Sequence, residues 1–346
     1  PAATLPQMVG RLTNAMSLSL PSSPSSLRTA VVIPCYKVTR HILAVIAEIG
    51  PEVDGIYIVD DCCPDGSGRF VQEHCPDARV RVLFNELNLG VGGAVMAGYR
   101  AAIADGYGVL VKIDGDGQMD PTLVPRFVAP IASGRADYTK GNRFFNLEKI
   151  ARMPRIRIFG NAVLSFMTKF SSGYWSSFDP TNGFTAIAAS TAAQLPLHKI
   201  SQRYFFETDM LFRLNTVRAV VLDIPIDSRY EDEVSNLKIH KVLTEFMSGH
   251  LRNFCKRIFY NYYLRGMSVA SLELPLGLLL ITWGTVFGLF HWVQSIVSNV
   301  ATTAGTVMVS ALPIILGVQL VLAFIAFDVA SEPTQSHRHD GEGLGR

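Results

Sequence analysis

Val109–Asp120 reads VLVKIDGDGQMD: an apolar run of strand-forming residues stops at two aspartates separated by one glycine, with Gln118 and Asp120 close behind. Val109, Leu110, Val111 and Ile113 predict a largely buried strand. Glycine and aspartate end it, leaving Asp114 and Asp116 at a strand end, where α/β proteins bind ligands. Residues two apart in extended backbone point the same way. Two carboxylates on one side make a hard oxygen site suited to Mg²⁺ or Mn²⁺, above all where diphosphate oxygens complete the shell. The spacing also fits an acidic turn after a strand, since Asp-Gly is a common loop signal. The flanking sequence decides between the two.

Upstream, Thr29–Pro34 reads as an apolar strand running into Pro34-Cys35-Tyr36, and a helix follows with Ile42, Val45, Ile46 and Ile49 on one side. Gly55–Val59 is a second strand, ending in Asp60-Asp61; Arg69–His74 is a brief helix and Val80–Phe84 a third strand. Gly90, Gly92, Gly93 and Gly98 permit close backbone approach in a loop and helix start that Tyr99–Ile103 continues. Downstream, Pro121–Ile131 is a helix opened by proline, Tyr138–Gly141 a strand and Ile156–Phe170 a long helix. Phe184–Ala188 is a strand, Phe205–Leu214 a helix and Val217–Ile224 the last clear strand. This alternation predicts right-handed βαβ units and a mostly parallel sheet. Gly90-Val91-Gly92-Gly93 lacks the spacing of a dinucleotide fingerprint. With two acidic strand ends, Asp60-Asp61 can receive the base or ribose of a nucleotide while Asp114 and Asp116 hold a cation on its diphosphate. Helix or turn capping is the other reading of Asp60 and Asp61.

Of 346 residues only 17% are charged, and the deficit is concentrated: Leu274–Phe327, 54 residues, contains no Asp, Glu, Lys or Arg. Leu274–Val297 and Gly305–Phe327 are each long enough to cross a hydrocarbon core of roughly 30 Å, with Asn299–Thr303 as the turn and Pro313 predicting a kink. Ahead of them, Leu251–Met267 places Phe254, Ile258 and Tyr262 at helical spacing beside Arg252, Lys256, Arg257 and Arg265, the pattern of an interfacial amphipathic helix. Positive charge flanks the first span and the turn between spans has none, which puts the large domain and both termini in the cytoplasm of an integral inner or plasma membrane protein. The five cysteines show no zinc-ligand periodicity, and their odd number with the adjacent Cys62-Cys63 pair fits a reducing compartment. Residues 1–28, rich in Ser, Pro and Ala, read as a flexible leader; 29–232 is the α/β domain, 233–270 the juxtamembrane helices, 271–329 the two spans and 330–346 a flexible tail.

In their order these motifs resemble the inverting glycosyltransferases of family 2 with a GT-A fold, most nearly the dolichyl-phosphate mannose synthase and polyprenyl-phosphate glycosyltransferase branch. The resemblance covers about Ala30–Arg229 and continues through the paired helices. It implies that Pro34 and Tyr36 sit at the nucleotide, that Asp60 or Asp61 binds base or ribose, and that Asn88-Leu89-Gly90 precedes the donor-lining helix. Asp114 and Asp116 match the metal-binding DxD, Gln118 a polar neighbour of metal and donor, and Gly141-Asn142-Arg143 a segment whose arginine lies near the phosphates. Asp179 and Gly183-Phe184 match the stretch shaping the sugar pocket, Glu207 an acidic residue of the next helix, and Arg157 and Arg229 the acceptor-phosphate region. Three positions depart: Lys37-Val38 follows Tyr36 where relatives carry Asn or Asn-Glu, Cys62-Cys63 replaces Gly-Ser, and Thr185 stands where arginine often follows Gly-Phe.

The implied activity is metal-dependent transfer of a single sugar from a nucleotide sugar to a polyprenyl phosphate, with inversion, at the cytoplasmic leaflet. Asp116, Arg143, Glu207 and Arg229 are the expected catalytic residues, although an acceptor phosphate that is already anionic leaves Glu207 equally suited to orienting an arginine or a sugar hydroxyl. Arg143, Arg157 and Arg229 would hold that phosphate; Arg157 and Arg229 also fit solvated surface positions. A processive polysaccharide synthase is the first alternative, disfavoured because two spans build no export channel and Gln202-Arg203-Tyr204 only faintly resembles the expected Gln-x-x-Arg-Trp. A noncatalytic membrane scaffold is the second, disfavoured by the intact Asp114, Asp116, Gln118 and Arg143. Nucleic acid is not an expected partner; a homo-oligomer is left open.

Overall fold

A computed structural model describes residues 27–145, 155–227 and 239–336. Seven strands form one sheet: β1 (Thr29–Cys35), β2 (Gly55–Asp60), β3 (Val80–Phe84), β4 (Val109–Lys112), β5 (Tyr138–Asn142), β6 (Thr185–Ala188) and β7 (Val221–Pro225), in the order β3-β2-β1-β4-β6-β5-β7. Every pairing is parallel except those of β6, which runs against β4 and β5. The mostly parallel sheet is therefore as expected, with one reversed strand that strand–helix alternation does not announce.

Both faces of the sheet are covered, which is why its central strands are apolar runs rather than alternating ones. Period two still sorts the side chains: Ala30, Val32, Tyr57, Val59 and Leu110 pack in one core with α3 (Val91–Ala104) and α7 (Phe206–Thr216). Val31, Ile33, Ile56, Ile58, Val109 and Val111 pack in the other with α1 (Ile42–Ala47) and α4 (Val124–Ala132). The remaining helices of the domain are α2 (Ser67–His74), α5 (Arg155–Ser172) and α6 (Ala189–Gln194). Three expected boundaries shift. The glycine-rich stretch is already helical from Val91, the last strand begins at Val221 rather than Val217, and Pro121–Leu123 forms a separate 3₁₀ turn capped by the Asp120 carboxylate before α4 starts.

Beyond the domain, α8 (Ile239–Phe259) passes through a π-helical turn, Tyr260–Leu264, into the apolar helices α9 (Ala270–Ser298) and α10 (Ala304–Ala330). These two are long and apolar enough to cross a membrane. They pack through small residues: a Cβ at Gly277 would meet the Gly317 carbonyl oxygen at 2.9 Å, and one at Gly284 the Ser310 oxygen at 2.6 Å. Such backbone proximity is how apolar helices associate when lipid offers no hydrophobic drive. Pro313 lies within α10 without ending it.

The amphipathic stretch needs correction. Ile258 and Tyr262 do not face outward but are buried with Ala270 and Phe324 of the hairpin, Phe254 packing against them. Arg257 is buried too, paired with Asp328 of α10. This segment exposes Leu251, Phe259, Tyr260, Tyr263, Leu264 and Met267 together with Arg252, Lys256 and Arg265. All five cysteines are free.

Candidate active site

In the sheet, β1 lies between β2 and β4, so the chain departs from the carboxyl ends of β1 and β4 to opposite sides. Such a reversal of strand order leaves a crevice above the strand ends. Here it is a cleft of about 500 Å³, walled by Pro34 and Tyr36 after β1, Asp61 and Gly90 on the next side, and Asp114 and Asp116 after β4. Six expected site residues thus share one cavity. Arg203 and Tyr204 also line it, Arg203 beside Gly90. Their loop is fixed because the Gln202 carbonyl accepts the Gly92 N–H at 2.9 Å at the start of α3. A Cβ at Gly90 would stand 2.6 Å from that same carbonyl, and its φ of 84° also favours glycine.

The two acidic residues after β2 part company. Asp60 accepts the N–H groups of Cys63 (2.7 Å) and Gly68 (2.6 Å), so it holds the turn into α2 and does not line the cleft. Asp61 lines the cleft while accepting from Leu89 (2.9 Å) and Gly90 (2.6 Å), which pins the loop before α3. Next to them, the unusual Cys63 ties the loop after β1 to α2. Its sulfur accepts the Lys37 N–H at 3.1 Å and meets the Ser67 hydroxyl at 3.2 Å. Burial raises this thiol's pKa, but the hydrogen bonds from Ser67, Lys37 and Asp65 outweigh it and leave it below its ordinary value.

Behind Asp114 stands a residue that sequence reasoning passed over. Lys112 is buried within β4, its ammonium 2.8 Å from Asp114 Oδ1 and 3.4 Å from Glu207 Oε1. Burial disfavours its charge, yet Asp114 and Glu207 outweigh that and raise its pKa. Glu207 is pushed up by burial and by Asp114, with Lys112 opposing. Glu207 does not line the cleft, so the expectation that it is a catalytic residue or orients an arginine or sugar hydroxyl is replaced by contact with Lys112, which it helps to hold beside Asp114. The signal was present in the sequence: a lysine inside an otherwise apolar strand demands a buried carboxylate.

Arg143, just past β5, is gripped by Asp179 through Nε at 2.7 Å and a terminal nitrogen at 2.6 Å, the two-point geometry that fixes a guanidinium plane. Burial would raise the Asp179 pKa, but Arg143, with Lys140 nearby, outweighs it and holds the carboxyl below its ordinary value. Asp179 is fully buried and outside the cleft lining, so it orients Arg143 rather than meeting a donor directly. From Asp179 the chain runs to Gly183, where a Cβ would stand 2.6 Å from Asp114 Oδ2. One short segment therefore joins the arginine to the carboxylate pair. Gln118 adjoins the pair, its N–H donating to Asp116 Oδ1 at 3.0 Å. Arg157 belongs to α5, and Arg229 lies outside the described residues.

No group of three or more His, Cys, Asp or Glu side chains able to hold a metal occurs among the described residues. Asp114 and Asp116 offer two hard carboxylates at the cleft, which suits an ion that keeps water and takes substrate phosphate oxygens for its other positions, as Mg²⁺ and Mn²⁺ do.

A mostly parallel sheet covered on both faces, with a cleft at its switch point edged by an Asp-x-Asp strand end, defines the fold class. Solved structures share it: glucosyl-3-phosphoglycerate synthase from Mycobacterium tuberculosis, in complex with uridine diphosphate, superposes with a TM-score of 0.51 at 17% identity, over 73% of this chain and 85% of that one. The family model "Glycosyl transferase family 2" matches residues 30–193. The undecaprenyl-phosphate mannosyltransferase of Micrococcus luteus is 31% identical over 205 residues, 58% of this chain and 83% of the relative. Polyprenol monophosphomannose synthase of Mycolicibacterium smegmatis is 29% identical, over 58% of this chain and 76% of that protein. The chain belongs to glycosyl transferase family 2 and is a glycosyltransferase.

Proposed function

We propose that this enzyme transfers one sugar from a nucleotide-sugar donor to a polyprenyl phosphate, with inversion at the anomeric carbon, at the cytoplasmic face of a membrane that α9 and α10 span. The observation that carries this reading is that one short segment of chain links two kinds of surface. The polar cleft at Asp114 connects through the Asp179–Gly183 segment to Arg143, and beside Arg143 opens an apolar pocket of about 330 Å³ lined by Phe144, Phe145, Ile158 and Phe178. Phe159, Val163 and Phe166 extend that apolar surface along one exposed face of α5. A sugar nucleotide suits the first surface and an isoprenoid chain the second, with the phosphate between them at the arginine. The named relatives, which act on undecaprenyl phosphate or polyprenol, support the same acceptor class.

The chemistry follows from those surfaces. An oxygen of the acceptor phosphate attacks the anomeric carbon on the side opposite the nucleoside diphosphate. The new carbon–oxygen bond forms as the old one breaks, its electron pair leaving on the diphosphate. Asp114 and Asp116 would hold Mg²⁺ or Mn²⁺, which as a Lewis acid neutralises charge on that leaving group. The acceptor oxygen is anionic near neutral pH, so no side chain has to remove a proton. Arg143, its plane set by Asp179, donates to phosphate oxygens. Arg157 and Arg229 are the further candidates for the acceptor phosphate. Tyr36 and Tyr204, both exposed and both lining the cleft, suit stacking on the donor's base.

Charging the α5 face tests the acceptor path. Phe159→Asp with Phe166→Asp should raise the KM for polyprenyl phosphate at least about tenfold while donor affinity stays near wild type, since each removes apolar contact worth roughly 1.5–3 kcal/mol. An unchanged acceptor KM in the double variant would contradict this path.

A further inference from the structure

A second cavity, of about 260 Å³, lies where the hairpin meets the catalytic domain, and none of its lining residues lines the cleft. Its position follows from chain direction. Arg218 precedes β7, and Ser336 after α10 donates to Asp137 immediately before β5, so the hairpin base docks on the end of the sheet opposite Asp114. Three arginines, Arg218, Arg257 and Arg265, share the wall with one carboxylate, Asp328. That carboxylate is already committed. It accepts from Arg257 (2.6 and 3.0 Å), Tyr262 (2.6 Å) and Trp175 (2.9 Å). Arg257 and Asp328 neutralise each other, which leaves two positive charges facing the space.

Neither remaining arginine has a carboxylate of its own among the described residues. Arg218 donates to the Ser331 carbonyl at 2.6 Å and Arg265 to the Thr216 carbonyl, the ends of α10 and α7, where only partial negative charge resides. A guanidinium carries five N–H donors, so each retains most of its capacity. The backbone at Arg218 adds an independent sign. Its φ is 59°, a left-handed angle just after α7 that helix ends usually give to glycine. Burial lowers the Arg218 pKa and the neighbouring Arg265 charge lowers it further, outweighing the Tyr174 and Tyr262 hydroxyls and Asp328, which oppose. Two like charges held together around a space are what an anion would relieve. Exposed apolar residues flank the opening, Met267 at 74% and Val269 at 73%.

We infer that this cavity binds the phosphate of an anionic lipid headgroup between Arg218 and Arg265, with the acyl chains along the hairpin. The phosphate thereby clamps the hairpin base to the end of α7. This rests on the reading of α9 and α10 as membrane spans but not on the transfer reaction, so it stands or falls separately from the sugar acceptor.

The test uses the full chain in neutral-detergent micelles, titrated with phosphatidylglycerol, phosphatidylcholine or inorganic phosphate. Thermal unfolding and native mass spectrometry are the readouts. Phosphatidylglycerol should raise the unfolding midpoint saturably with one lipid retained, while phosphatidylcholine and inorganic phosphate at equal concentration should not. Arg218→Gly and Arg265→Gln should each weaken that response at least about tenfold, the loss expected for a charge-assisted hydrogen bond. Arg126→Gln, a change at an exposed position of α4, should leave it unaltered. If Arg265→Gln does not fold, Arg218→Gly decides alone, because glycine suits that backbone angle. An equal response in wild type and Arg218→Gly, or equal losses with Arg126→Gln, would overturn the site. Saturation by inorganic phosphate would overturn its assignment to lipid. A chain that stays monodisperse without detergent would instead refute the membrane spans.

Discussion

Lys112 and Arg257 are both 1% exposed and both face aspartates, one at the carboxyl end of β4 and the other at the base of the hairpin. Around Arg257 everything is closed. Asp328 is 4% exposed and takes hydrogen bonds from an arginine, a tyrosine and a tryptophan, while the Phe170 carbonyl accepts from the same guanidinium. Around Lys112 the arrangement is open on one side. Asp114 remains 29% exposed to the cleft, and the second partner, Glu207, is 3.4 Å away. A saturated pair holds two parts of a protein together; a pair with one carboxylate still facing solvent can engage another cation and a substrate. The contrast separates the residues that join the domain to its apolar hairpin from those that border the cleft.

The largest effect should come from breaking the closed pair. Arg257→Ala leaves Asp328 buried without its cation and should cost about 3–5 kcal/mol. Thermal unfolding of the detergent-solubilised chain measures this, and a loss under about 1 kcal/mol would show that the pair does not hold the junction together.

The open pair is sharpened by crowding it. Gly183→Ala places a methyl group against the Lys112 ammonium and 2.6 Å from Asp114 Oδ2, and overpacking of this kind costs about 1–3 kcal/mol. Much of that should appear as a roughly tenfold lower transfer rate rather than as unfolding. Transfer at the wild-type rate would mean that Asp114 can move away without consequence.

The smallest effect concerns pH. Asp179 has a lowered pKa, so its pairing with Arg143 stabilises the fold at neutral pH and that contribution is lost as pH falls through the lowered pKa. Glu207 has a raised pKa and the opposite sign: its contribution is present in acid and is lost as pH rises through the raised value. Asp179→Asn should therefore be less stable at neutral pH and lose less on acidification, whereas Glu207→Gln should remove the decline seen as pH rises through the raised Glu207 pKa. Unfolding midpoints measured from acid to neutral pH check both, and curves parallel to wild type would contradict the assignments.

How legible each region was depended on how local its causes are. Asp114 and Asp116 could be read at a glance, because a strand and its end lie within twelve residues of sequence. So could the apolar hairpin, whose signal is its own composition. The partners that give the site its electrostatics could not. Glu207 lies 95 residues from Lys112 and Asp179 lies 36 from Arg143, and no local pattern announces such pairs. The stripe of Phe254, Ile258 and Tyr262 correctly announced a helix, but periodicity does not say what covers an apolar face; Phe324, far along the chain, covers it. Asp60 and Asp61 are neighbours in sequence, yet only the geometry of the turn decides which carboxylate caps a helix and which reaches the cleft.

The central claim is that the carboxylates after β4 serve transfer of a nucleotide-linked sugar to a polyprenyl phosphate. The direct measurement is formation of lipid-linked label from labelled nucleotide sugars and polyprenyl phosphates, by wild type and Asp116→Asn, with and without Mg²⁺ or Mn²⁺. The expected result is one labelled sugar per lipid, formed only with the metal present and restored when metal is returned after chelation. Asp116→Asn should fold normally and fall at least about a hundredfold, because an amide cannot balance the charge of a metal–diphosphate unit. Undiminished transfer in metal-free buffer, or full activity of Asp116→Asn, would contradict the account.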